Sequence, residues 1–183
     1  MRVTLIRHGI TQGNIEKRYI GRTDQPLSEF GINKLKELKY DDVCKVYASP
    51  MKRCVQTASV IYPGKEINIV DDLREIDFGT FEGKTHNQLN GDIHYQAWID
   101  SGGLGDIPQG ERFDTFTNRC VKAFEKVLEN EQLNDIAFVV HGGTIMALMH
   151  KLGNMNYFDA MVDNGKGFVC EYKDKKIKVI HKL

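Results

Sequence analysis

Residues 136–144 read Ile136-Ala137-Phe138-Val139-Val140-His141-Gly142-Gly143-Thr144. Five consecutive apolar residues are too few for a buried helix and lack the alternation of a half-exposed strand. They fit a strand covered on both faces. The run ends abruptly at a histidine and two glycines, after which a helical pattern continues through Met149. A strand that leads directly into a helix is half of a βα unit, and covering both of its faces needs a layer on each side.

The same alternation extends outward from this strand. Val3 to Ile6 is a short apolar run that stops at Arg7-His8-Gly9. Val43 to Ala48 is a second run, and Ser49-Pro50 after it offers an N-cap and a first-turn proline. The helix that follows carries Cys54, Val55, Ala58 and Ile61 inward. Ser28 caps a helix to about Tyr40, with Ile32, Leu35 and Leu38 on one face. Ile67 to Val70 reads as a short strand, 71–83 as a loop, and Tyr95 to Ile99 as a helical turn or two. Phe113, Phe116, Cys120, Phe124 and Val127 mark a long helix from Glu111 to about Leu128. Phe168–Tyr172 and Ile177–Ile180 flank Lys173–Lys176 as a terminal hairpin. The expected fold is α/β, a three-layer α/β/α sandwich whose mostly parallel central sheet has an antiparallel edge, in a single domain over 1–183.

Bulk properties narrow the function. The 183 residues include 25 Lys and Arg against 25 Asp and Glu, so net charge supplies no attraction to nucleic acid or to an acidic membrane. Any anionic ligand must meet cations gathered locally. No apolar stretch has transmembrane length, and Met1 to Ile6 lacks the pattern of a signal peptide. Cys44, Cys54, Cys120 and Cys170 form no CxxC pair and each sits in an apolar pattern. They read as reduced core residues of a cytoplasmic protein. His86 and His94 stand apart from acidic or cysteine clusters, and no HExxH-type spacing occurs, so neither a metal nor a cofactor is expected. His150 and His181 read as surface residues. No feature of the pattern specifies an oligomeric state.

Ligands of open α/β sheets gather beyond the carboxyl ends of the strands. Here three strands end in Arg7-His8-Gly9, Ala48-Ser49-Pro50 and His141-Gly142-Gly143-Thr144. Arg53 and Lys52 lie in the first turn of a helix, where the dipole disfavours cations by about 0.3–1 kcal/mol. A bound anion would reverse that effect, and Arg53 is the stronger candidate because the other anion-directed groups share its edge. Lys52 reads as solvated. The two glycines after His141 allow backbone N–H groups to approach a ligand.

Arg7-His8-Gly9-Ile10-Thr11-Gln12-Gly13-Asn14 resembles the RHGxTxxN signature of the histidine phosphatase (phosphoglycerate mutase-like) superfamily. Gly21-Arg22-Thr23-Asp24-Gln25-Pro26-Leu27-Ser28 is similar to its GxxDxPLT stretch, and Ser49 to Ala58 to SPxxRxxQTA. Leu73 to Gly83 resembles LxExxxGxxEG, and Pro108-Gln109-Gly110-Glu111 and Val140-His141-Gly142-Gly143 follow in order. These blocks span roughly residues 2 to 150. The resemblance implies that His8 attacks phosphorus and forms a phosphohistidine. It places Arg7, Arg53 and His141 around the phosphoryl oxygens, with Asn14, Gly21, Arg22 and Gly142 among the phosphate- and substrate-binding residues. Glu75 is implied as the proton donor to the leaving group and then as the base that activates water. Glu82 reads as a structural residue of its loop, and Asp77 as solvated or loop-closing.

The implied function is metal-independent hydrolysis of a small phosphorylated metabolite, with no nucleic-acid or membrane partner. Two alternatives accompany it: phosphoglycerate mutase-type transfer, and a binding protein that retains phospholigands without turnover. The chain is short between Trp98 and Pro108, where a mutase needs closing segments, which favours hydrolysis. It looks most like the small bacterial branch that includes α-ribazole phosphatase. Arg112 and Met146 depart from the family pattern, and Arg22 and Arg112 are candidates for contacting a second anionic group.

Overall fold

The computed structural model describes residues 1–183. Strands β1 (Arg2–Arg7), β2 (Lys45–Ala48), β3 (Ile67–Ile69), β4 (Ile136–Val140), β5 (Gly167–Lys173) and β6 (Lys176–Lys182) form one sheet in the order β3-β2-β4-β1-β5-β6. β1 to β4 run parallel, while β5 and β6 are antiparallel and form one edge. The helices are α1 (Gln12–Ile15), α2 (Glu29–Glu37), α3 (Lys52–Ile61), α4 (His86–Leu89), α5 (Ile93–Asp100), α6 (Phe113–Glu129) and α7 (Gly142–Leu152). The expected sandwich is therefore the observed one.

β4 explains the layering. All five of its residues are buried, and their side chains alternate between two cores. Ile136, Phe138 and Val140 join the larger cluster with Phe116 and Phe124 of α6 and Leu148 of α7. Ala137 and Val139 face a smaller cluster with Val46, Cys54 and Ala58, which seats α3 against the opposite face. Phe138 lies between Tyr47, stacked at 5.2 Å, and Phe124, tilted at 4.9 Å. Removing such a ring costs about 3–5 kcal/mol.

Parallel pairing brings the strand ends level. Arg7 is opposite Val140 and Ala48 is opposite Val139. Backbone pairing continues one residue further, with His8 N–H donating to the Val140 carbonyl (2.9 Å) and Ser49 N–H to the Val139 carbonyl (3.1 Å). The polar residues after the three strands thus emerge side by side.

Local differences from the sequence reading have physical causes. α3 begins at Lys52, and its N-cap is Met51 rather than Ser49. A carboxylate from another loop replaces the expected cap, since Lys52 N–H donates to Asp24 Oδ1 at 2.7 Å. Of the four cysteines, Cys54, Cys120 and Cys170 are buried, but Cys44 is exposed just before β2. His150 is half-buried rather than superficial. Its Nδ1 lies 3.0 Å from the Met155 carbonyl, and its ring meets Phe113 and Tyr157 edge-on. No helix is long and apolar enough to cross a membrane.

Candidate active site

His8 sits just past β1 and is 5% exposed. Its loop is held from several directions. Gly9 N–H donates to Thr57 Oγ1 (2.8 Å), and Asn164 Nδ2 donates to the His8 carbonyl (3.0 Å). His8 Nδ1 lies 2.7 Å from the Gly9 carbonyl oxygen. A carbonyl only accepts, so Nδ1 carries the proton and Nε2 keeps its lone pair. Burial, then the charges of Arg53 and Arg7, hold the His8 pKa well below the ordinary 6.5. The ring is therefore uncharged near neutral pH.

Two arginines flank it, Arg53 buried and Arg7 half-buried. Arg53, 1% exposed, donates through Nε to His141 Nδ1 (3.2 Å), through Nη1 to the Thr23 carbonyl (2.8 Å) and through Nη2 to the Gly21 carbonyl (2.9 Å). Arginine only donates, so His141 Nδ1 is the acceptor. Its proton sits on Nε2, directed at Ser49 Oγ 2.7 Å away. Burial and the neighbouring Arg53 lower the His141 pKa as well, and its ring stands edge-on to His8 at 5.3 Å. Arg7 donates through Nη1 to the Val162 carbonyl (2.7 Å), while its buried Nε has no partner. Burial depresses the Arg7 pKa, the mark of an under-compensated buried cation.

Gly142 and Gly143 open α7 beside these groups. A Cβ on Gly142 would lie 3.4 Å from Arg7 Nε, so the guanidinium packs against the start of the helix. The Gly142 N–H, at the positive end of the dipole, bonds to nothing in the chain. A Cβ on Gly143 would overlap the Glu75 carboxylate. That contact exists because Gly143 N–H donates to Glu75 Oε2 (3.0 Å), while Ile76 N–H holds Oε1 (3.0 Å). Burial outweighs these two bonds and raises the Glu75 pKa above the ordinary 4.5. Its carboxyl borders a cavity of about 350 Å³ whose wall includes Arg22, Met51, Arg74, Asp77 and Arg119.

The structure brings His8, Arg7, Arg53, His141, Gly142 and Glu75 together at one sheet edge. Asn14 lies at the same edge, its Oδ1 accepting from Thr11 N–H (3.0 Å) and Asn164 Nδ2 (3.2 Å). Gly21, expected among the phosphate-binding residues, has its N–H taken by the Glu82 carboxylate (3.0 and 3.1 Å) and its carbonyl by Arg53. Its position is that of a backbone brace for Arg53. Glu82 also accepts from Thr23 N–H and Oγ1, so it fixes this loop as expected. Arg22 is 74% exposed at the cavity wall and pairs with Asp77 at 3.1 Å, and Asp77 closes its own loop onto Gly79 N–H. Arg112 is exposed at the start of α6, away from the cavity wall. Sequence reasoning missed Asp24, Thr57, Asn164 and Arg119. Of these, Asp24 and Thr57 lie inside the family-like blocks and carried a usable signal. No group of three or more His, Cys, Asp or Glu side chains is placed to hold a metal.

A pair of buried histidines in edge-on contact at the carboxyl edge of this sheet defines a class, and the chain belongs to the histidine phosphatase superfamily (branch 1), whose model matches residues 3–182. Within it, the chain is 28% identical over 163 residues to the adenosylcobalamin/alpha-ribazole phosphatase of Salmonella typhimurium, covering 85% of this chain and 81% of that one. It is 29% identical over 160 residues to phosphoglycerate mutase-like protein 4 of Arabidopsis thaliana, covering 81% and 70% respectively. The crystal structure of the alpha-ribazole phosphatase of Shigella flexneri superposes with a TM-score of 0.86 at 26% identity, over 98% of this chain and 94% of that one.

Proposed function

We propose that this enzyme hydrolyses small phosphomonoesters through a phosphohistidine on His8. The observation that carries the reading is the 2.7 Å contact of His8 Nδ1 with the Gly9 carbonyl, which assigns the proton to Nδ1 and leaves the Nε2 lone pair free, in a site where Arg7 Nε has no partner. Nε2 attacks phosphorus as the ester P–O bond breaks, and protonated Glu75 gives its proton to the departing alkoxide. The resulting carboxylate then takes a proton from water as the water oxygen attacks phosphorus. The P–N bond breaks, phosphate leaves, and both His8 and Glu75 return to their starting states. Arg7, Arg53 and the Gly142 N–H hold the oxygens of the phosphoryl group in both steps.

The pKa directions support this division of work. A working site needs His8 neutral and Glu75 protonated together. Lowering the first from 6.5 and raising the second from 4.5 moves both groups toward that state. The cavity leaves the partly exposed Glu75 open to water, which favours hydrolysis over transfer to a retained intermediate. Three buried, unpaired thiols, Cys54, Cys120 and Cys170, support a reducing, cytoplasmic setting. The α-ribazole phosphatase names among the relatives make that ester one candidate substrate. Phosphate release from p-nitrophenyl phosphate in excess chelator tests the reading. Release by the wild type that His8→Ala abolishes is expected, and release that survives His8→Ala overturns it.

A further inference from the structure

We propose that Arg119 and Glu111 form a brace that positions the Glu75 carboxyl, so that Arg119 is a positioning residue for proton donation rather than a substrate contact. The inference rests on the reading of Glu75 as the acid. Arg119, on α6, borders the same cavity as Glu75, and an arginine there would ordinarily be assigned to an anionic substrate. Its donors exclude that role. Nε and Nη2 grip the two oxygens of Glu111 at 2.7 and 2.8 Å. Nη1 donates to the carbonyls of Asp72 and Arg74, both at 2.8 Å, and Nη2 to the carbonyl of Glu75 at 3.0 Å. A guanidinium has five N–H groups, and all five are used within the chain.

Those bonds hold the main chain leading into Glu75. On its other side, Glu111 N–H donates to the Asp77 carbonyl at 3.0 Å, so the pair spans the loop on both flanks of the acid. The guanidinium also lies over the Phe116 ring at 5.0 Å, which fixes its rotamer. Arg119 and Glu111 side chains are 19% and 16% exposed, and their paired geometry cancels a cation that would otherwise face the carboxyl. The Glu75 carboxyl is thus aimed by α7 through Gly143 and by α6 through this pair.

The test separates aiming from folding. Proton donation matters more for phenyl phosphate, whose phenolate leaves poorly, than for p-nitrophenyl phosphate, whose leaving group needs little help. Relative kcat/KM for both esters is measured in wild type, Glu75→Gln, Arg119→Met and Arg119→Lys, with Tm as the folding control. The expected result is that Arg119→Met loses about tenfold more on phenyl phosphate than on p-nitrophenyl phosphate, in the direction of Glu75→Gln, and that Arg119→Lys recovers part of the difference. Equal losses on both esters, or none, overturn the brace. Should Arg119→Met not fold, Glu111→Gln replaces it in the same comparison, and equal losses there overturn the brace just as well. Wild type inactive on both esters, or Glu75→Gln without a leaving-group split, overturns the reading of the site and the brace with it. A split in Glu75→Gln alone overturns only the brace.

Discussion

The two walls of the cleft treat hydrogen-bond donors in opposite ways. At the His8 wall, Arg7 uses a single N–H within the chain and Arg53 uses three, and the Gly142 N–H and Arg7 Nε have no partner. Around the Glu75 carboxyl the nearest donors are engaged: Gly143 and Ile76 N–H on the carboxyl itself, and Arg119 on Glu111 and three carbonyls, while Arg22 and Arg74 lie further out on the cavity wall. A buried cation with free donors is costly until an anion arrives. A saturated frame holds one side chain still and has nothing to offer a phosphate. On the proposed mechanism, the first wall receives charge and the second aims a proton.

Breaking the receiving wall has the largest expected effect. Arg53→Ala removes a buried cation and its grip on Gly21, Thr23 and His141, and is expected to lower kcat/KM on any ester by about 10²–10³-fold in steady-state assays. Breaking the aiming wall depends on the leaving group. Glu75→Gln is expected to cost about 10²-fold on an alkyl ester and much less on p-nitrophenyl phosphate. Equal losses would erase the distinction between the walls.

The adjacent glycines sharpen the comparison, because each faces a different wall. Gly143→Ala pushes a methyl into the Glu75 carboxylate, whereas Gly142→Ala makes only a 3.4 Å contact with Arg7. The former is expected to reduce alkyl-ester turnover about tenfold or more, and the latter by less, in side-by-side kinetics.

These walls were unequally legible in the sequence. Arg7, His8 and His141 fall where uninterrupted apolar runs stop, and Arg53 falls in the first turn of the helix after such a run, so the strand ends expose them to inspection. The two-sided burial of β4 likewise followed from five uninterrupted apolar residues. Nothing local marks Arg119 as the holder of the Glu75 carbonyl, 44 positions away, or Asn164 as the donor to His8, 156 positions away. Arg119 and Glu111 are eight apart, outside the spacings at which helix neighbours meet, and Glu111 lies before the helix begins. Ser49 misled because it fits an N-cap by type, while its hydroxyl is committed to His141 and Asp24 takes over the helix start.

The smallest expected effect concerns stability. His8 and His141 have folded pKa values below 6.5, so the unfolded chain binds protons that the native state refuses. Stability therefore rises with pH through that range and falls as pH drops below about 6.5. Glu75, with its pKa raised, acts in the opposite sense above 4.5. Urea midpoints at pH 5 and 7 are expected to converge in His8→Gln relative to the wild type.

The most direct test of the receiving wall is to look for the phosphoryl group on His8. Enzyme mixed with p-nitrophenyl phosphate is quenched in base, where a phosphohistidine survives, and read by intact mass and peptide mapping. One added phosphoryl group on the peptide containing His8, more abundant in Glu75→Gln and absent in His8→Ala, is the expected result. Turnover with no adduct, or an adduct mapped to another residue, would contradict the assignment of His8 Nε2 as the nucleophile.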